Sequence, residues 1–134
     1  RLQAIVECRG AEIHLLSVAP VIDNAAAEVM LYPLYVYREQ FADETAERQR
    51  IETELLNYLQ GVARDLEPLG ASVRCIVHFG SPAEEVLSYA SQAAIELIAM
   101  CTHGRSGLAR WAYGSVADRV LREASCPVLL VRAK

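Results

Sequence analysis

The residues with the clearest chemical purpose fall in one run, Met100-Cys101-Thr102-His103-Gly104-Arg105-Ser106-Gly107-Leu108-Ala109-Arg110-Trp111-Ala112-Tyr113-Gly114-Ser115-Val116-Ala117-Asp118-Arg119. An apolar stretch from Ile95 to Met100 leads into it and reads as a buried parallel strand. Gly114-Ser115 closes the loop and opens an apolar-periodic helix. A strand, a glycine-bearing loop and a helix N-terminus together make an anion cradle. The first backbone N–H groups of the helix are free, the helix dipole favours negative charge, and glycine lets a ligand come close to the backbone. The chemistry expected of such a run is phosphate binding. Gly104, nine residues and Gly114-Ser115 match neither the Walker spacing nor the dinucleotide fingerprint. His103 has no evident partner nucleophile or orienting carboxylate, so it is read as a loop contact beside phosphate and not as a catalytic base. Arg105 and Arg110 either neutralise phosphate charge or remain solvated, while Trp111 and Tyr113 pack the loop down.

The elements that position this run alternate along the chain. Glu12 to Ala19 reads as a strand ended by Pro20. Val21 to Phe41 reads as a long surface connection, irregular or partly helical, carrying Pro33 and Tyr32, Tyr35 and Tyr37. Ile51, Leu55, Leu59, Val62, Leu66 and Leu69 recur at threes and fours, which predicts a helix from about Asp43 to Pro68. Ser72 to Phe79 is the next strand. Gly80-Ser81-Pro82-Ala83-Glu84 predicts a helix start, with Ser81 as N-cap, Pro82 in the first turn and Glu84 completing a capping box. That helix runs to about Gln92 with Ala83, Val86, Leu87 and Ala90 inside. A helix from about Ser115 to Ala124 and a strand at Pro127 to Val131 finish the chain. Strands alternating with helices predict an α/β fold, an open parallel sheet covered on both faces, with ligands outside the C-terminal strand ends.

Composition narrows the function classes. At 134 residues, the chain is expected to be a single domain, and an apolar share of 53% excludes a disordered one. A net charge of −4 argues against nucleic acid as a partner. No apolar run approaches the ~18 residues of a membrane span, and the opening Arg1-Leu2-Gln3 does not read as a signal peptide, so neither membrane nor secretion is expected. Cys8, Cys75, Cys101 and Cys126 form no CxxC pair, which reads as buried free thiols in a reducing cytosol and excludes a paired-ligand zinc site. A sharper alternative makes Cys101 a redox-sensing thiol, with His103 and Arg105 near it in sequence.

The glycine run resembles the nucleotide-binding signature of the universal stress protein family: Gly, two residues, Gly, nine residues, Gly-Ser or Gly-Thr. Cys101 stands where the first glycine falls, and Gly104 and Gly114-Ser115 match the others. Gly80-Ser81-Pro82, Gly114-Ser115-Val116-Ala117-Asp118-Arg119-Val120 and Cys126-Pro127-Val128-Leu129-Leu130-Val131 extend the resemblance over roughly Glu12 to Arg132. It implies an adenine nucleotide alpha hydrolase-like fold, an open, mostly parallel five-stranded sheet with helices on both faces. It implies an ATP-binding regulatory module of the stress response, with Mg or Mn accompanying the nucleotide and without metabolic turnover as its main role. Carried over by position, the implied binding set is Val18 at the adenine, Met100 lining the pocket, and Cys101, His103, Gly104, Arg105, Gly107, Gly114, Ser115 and Val116 around ribose and phosphates. Ser115 is expected to cap its helix, and the side chain of Cys101 adds bulk near the ribose-phosphate. The resemblance also implies a homodimer through the C-terminal strand, residues 127–132. Two other classes stay open: an interaction module that binds no nucleotide, and a slow ATPase or phosphotransfer enzyme. The Walker lysine and the metal-binding carboxylate of such an enzyme are not seen.

The family's first strand, central in the sheet and ending in an Asp that helps hold nucleotide, has no counterpart here. Leu2 to Gly10 reads instead as the tail of a helix capped by Gly10. The simplest explanation is that the strand lies outside the given residues. Alternatives are that Leu2 to Glu7 forms a hairpin with Glu12 to Ala19, or that a second chain supplies the strand.

Overall fold

Four short strands and three helices alternate in the computed structural model, which describes residues 10–21, 34–102 and 114–132. They group into two units, residues 1–78 and 79–134.

In the first unit, β1 (Glu12–Ala19) pairs with β2 (Ser72–Phe79) in a two-stranded sheet. A hydrogen bond from the Ser72 N–H to the Ala11 carbonyl, 3.1 Å, ties their starts. Between them runs α1 (Leu34–Leu66), which packs on β1. Its inner stripe follows the spacing in the sequence: Leu59, Ala63 and Leu66 are buried, and Ile51, Leu55 and Val62 are half-buried. The helix begins at Leu34, nine residues before the expected Asp43, so the connection is shorter than its sequence implied. Pro33 directly precedes it and the apolar stripe only starts at Ile51, so helical periodicity gave no signal over the first turns. Pro68 lies in the closing turn Glu67–Leu69, and Gly70 at φ +82° donates its N–H to the Glu67 carbonyl. A left-handed residue here costs glycine nothing.

Glu12 accepts a hydrogen bond from His14 Nε2 at 3.2 Å and pairs with Arg74 of β2. The His14 hydrogen bond first, and the Arg74 charge next, hold its carboxyl below the usual carboxylate range. Because the folded pKa lies below the unfolded one, the ionised Glu12 stabilises the fold at neutral pH, and that contribution is lost as pH falls through the carboxylate range. The gap in thermal midpoint between wild type and Glu12→Gln is therefore expected to be small at neutral pH, as for exposed pairs generally, and to close in acid. A gap unchanged between neutral and acidic buffer would show that the pair is silent.

In the second unit, β3 (Ile98–Thr102) and β4 (Val128–Arg132) pair in parallel, Ile98 opposite Val128 and Cys101 opposite Val131. Two helices, α2 (Pro82–Gln92) and α3 (Ser115–Glu123), pack on each other and share the core of this unit. Ala83, Ala90, Ile98 and Val120 are its buried centre, with Val86, Leu87, Ile95, Met100, Val116, Ala124, Cys126 and Val128 packed around them. The third strand begins at Ile98 and not Ile95, because the Ile95 N–H bonds the Ala90 carbonyl at 2.9 Å and its side chain joins the core below the sheet. The expected capping box on α2 does not form. Ser81 holds the N-cap position in extended conformation with no side-chain cap bond, and the Glu84 carboxylate instead accepts from Arg119 at 3.0 Å. A charge-assisted bond to a guanidinium is stronger than one to a neutral N–H, so Glu84 goes to the arginine.

The expected single five-stranded sheet thus consists, among the described residues, of two hydrogen-bonded pairs, β1–β2 and β3–β4. The alternative strand at Leu2 to Glu7 lies outside the described residues.

Candidate functional site

The N-terminus of α3 is where the glycine run becomes geometry. Gly114 occupies the N-cap at φ +82°, ψ +152°, a combination essentially restricted to glycine. Its carbonyl accepts the first helical bond, from the Asp118 N–H at 2.9 Å. The N–H groups of Ser115, Val116 and Ala117 come before that bond and have no partner within the helix. Ser115 is therefore the first helical residue and not the cap expected from its hydroxyl. A residue that can take this backbone conformation was needed at the N-cap, and that was Gly114. Space around Gly114 is open: a Cβ built there meets no atom within 4 Å among the described residues.

Two side chains of the run turn inward. Val116 and Met100 both pack against the core cluster of the second unit, so what Val116 offers a ligand is its backbone N–H. Cys101 points the other way. Along β3, Ile98 is buried and Met100 half-buried, while Ala99 and Cys101 are exposed. Among the described residues, Ala94 is the one non-glycine at positive φ, so Cys101 sits in ordinary extended backbone. A cysteine here carries no conformational penalty, and bulk is the one cost it brings. Its thiol is free and exposed, as Cys75 and Cys126 are free and half-buried, against the expectation of buried thiols. Exposure on a strand edge residue follows from the alternation that sends Ile98 and Met100 to the core.

Val18 lies near the end of β1 in the first unit, half-buried. His103, Gly104, Arg105 and Gly107, with Arg110, Trp111 and Tyr113, lie outside the described residues. What the sequence reading missed is the support behind α3. Arg119 donates from Nη1 to Glu84 in the first turn of α2 at 3.0 Å, and from Nε to Glu123 at 3.1 Å. Asp118 accepts from Arg122 at 2.6 Å on the same helix. The i, i+4 spacing of Arg119 and Glu123 was legible, but the Arg119–Glu84 bond spans 35 residues and leaves no local signal.

The universal stress protein family profile matches residues 2–132, nearly the whole chain. The chain belongs to the universal stress protein family. Universal stress protein MJ0577 of Methanocaldococcus jannaschii is 30% identical over 96 residues, which are 72% of this chain and 58% of that protein. The chain thus spans under two thirds of this relative's length. Universal stress protein YxiE of Bacillus subtilis is 31% identical over 125 residues, 91% of this chain and 80% of YxiE. The solved structure of MJ0577 superposes with a TM-score of 0.73 at 26% identity, covering 98% of this chain and 85% of that one. A universal stress protein family structure from Arabidopsis thaliana, with AMP bound, superposes with a TM-score of 0.57 at 20% identity over 92% of this chain and 65% of that one. At that identity the likeness is one of fold. The α/β fold expected from alternating strands and helices is that of universal stress proteins. No helix of the described residues is long and apolar enough to cross a membrane.

Proposed function

We propose that this universal stress protein binds ATP and acts as a nucleotide-responsive regulatory module of the stress response, working as a homodimer in the cytoplasm without metabolic turnover as its main role. The observation that carries the nucleotide reading is the start of α3: a glycine-only N-cap at Gly114, space beside it that no described residue fills, and helix N–H groups at Ser115 and Val116. Phosphate is the natural ligand of such an end. The family's spacing, Gly104, nine residues and Gly114-Ser115, supports it, as does the AMP bound to the Arabidopsis protein. In this reading His103, Gly104, Arg105 and Gly107 line the phosphates and ribose beside Cys101. The donors at α3 fit phosphate oxygens. Mg or Mn would accompany the nucleotide.

Isothermal titration of the chain with ATP tests the proposal, with phosphate release measured alongside. Binding without release supports a regulatory module. Absent binding points to an interaction module, and sustained release to an ATPase. Cys101→Gly sharpens the test. Its backbone is already extended, so the substitution removes bulk and nothing else from the site, and ATP is expected to bind about fivefold tighter. The same variant should melt slightly lower, because glycine weakens a strand interior. Unchanged affinity would mean that the thiol stands clear of the nucleotide.

A further inference from the structure

We propose that Arg119 is a positioning residue for the phosphate-binding end of α3, fixing through Glu84 the direction in which the Ser115 and Val116 N–H groups point. The inference rests on the nucleotide reading above and names the device that aims its donors.

Arg119 follows Ser115 by four residues, so the two lie on one face of α3, about 6 Å apart along the axis. Its guanidinium uses two separate arms. Nε holds Glu123 at 3.1 Å on its own helix, and Nη1 reaches Glu84 at 3.0 Å in the first turn of α2. The arginine is thereby fixed in the frame of α3 and tied to α2 at once. The two helices also meet through apolar residues: Ala83 of α2 and the fully buried Val120 of α3 belong to one core cluster. The apolar driving force is non-directional, and small residues set how one helix is turned against the other only coarsely. The charge-assisted bond is directional and supplies what the apolar contact does not. Glu84 also forgoes the capping box its position allows, and Ser81 makes no side-chain cap bond. Its carboxylate is committed to the contact between helices.

The two possible roles of this pair separate experimentally. Arg119 and Glu84 have side chains 42% and 58% exposed, and pairs so exposed contribute little to stability. A merely structural role would show in thermal midpoint and in every ligand equally. A positioning role acts on the phosphate donors and spares the base. The experiment uses the full chain with ATP and adenosine as probes, adenosine being read by displacement of a fluorescent ATP analogue. It compares wild type, Arg119→Ala, Arg119→Lys, Glu84→Gln and the double variant Arg119→Ala with Glu84→Gln.

Arg119→Ala and Glu84→Gln are each expected to weaken ATP about fivefold, with adenosine affinity and thermal midpoint near wild type. The double variant should be no weaker than either single one, since both remove the same bond. Arg119→Lys should remain weakened, because one ammonium cannot hold Glu84 and Glu123 in a fork. ATP affinity unchanged in Arg119→Ala, equal losses for ATP and adenosine, or additive losses in the double variant would each overturn the inference while leaving the nucleotide reading standing. A wild-type chain that binds no ATP overturns the nucleotide reading, and this inference with it.

Discussion

Gly114→Val is expected to abolish measurable ATP binding in a chain that remains folded. Gly114 sits at φ +82°, ψ +152°, a region where any Cβ is strained by about 1–3 kcal/mol. Folded domains hold roughly 5–15 kcal/mol, so the strain lowers the melting temperature without unfolding the chain. Among the described residues a Cβ at this position meets no atom within 4 Å, so they add no crowding to that strain. The damage falls on the site in two ways. Relief of strain turns the peptide that aims the Ser115 N–H, and a β-branched side chain fills the open space through which phosphate approaches. Gly114→Ala separates the two: it carries the strain with little of the bulk and should fall between wild type and valine. Titration calorimetry with ATP, with circular dichroism to verify the fold, reads the result. Undiminished affinity in folded Gly114→Val would place the ligand elsewhere.

Which parts of this arrangement were legible depends on how local their causes are. The boundaries of α2 and its inner face followed from Pro82 and from the spacing of Ala83, Val86, Leu87 and Ala90, all within three turns of helix. The stripe of α1 from Ile51 to Leu66 was equally plain, yet its start at Leu34 was not, because no apolar periodicity marks the turns before Ile51. Ile95 belongs to an apolar run that continues into β3, and periodicity does not tell a strand from the core-facing turn that leads to it. Glu84 and Ser115 were misassigned for one shared reason. Each has the side chain of a capping residue, and each lost that role to a competitor visible only in three dimensions: the Arg119 guanidinium in one case, the backbone angles of Gly114 in the other. The departure at Cys101 looked costly in sequence, since glycine at a family position often marks a positive φ. The extended backbone of β3 removes that cost and leaves a steric question. The candidate site was legible as a motif because its donors are backbone groups whose positions follow from glycine spacing. Its supporting ion pair was not, being a contact across 35 residues.

The second large effect concerns assembly. Substituting Lys at both Leu129 and Val131 is expected to convert the proposed homodimer to a folded monomer. Within its sheet β4 pairs with β3 on one side, and among the described residues no strand pairs with its other edge. An apolar edge strand of this kind recruits a partner unless charge or a covering segment prevents it. Antiparallel pairing with the same strand of a second copy satisfies those backbone groups in an isologous two-fold contact. The two side chains chosen are those the chain's own core spares. Val128 packs against the core cluster of α2, α3 and β3, whereas Leu129 and Val131 alternate to the opposite face, opposite exposed Ala99 and Cys101 in register. Both are half-buried in the single chain, so roughly half of the ~1.5–3 kcal/mol for full burial, about 1 kcal/mol each, is left for the dimer. Four such side chains across the two-fold axis amount to about 4 kcal/mol, near a thousandfold in dissociation constant. Two lysines per strand add like-charge repulsion across the same axis. Light scattering at roughly tens of micromolar should find a dimer for wild type and a monomer of unchanged circular dichroism for the double variant. A wild-type monomer at that concentration, or a dimer that survives both lysines, would rule out pairing through residues 127–132 and leave the edge of β4 to another partner.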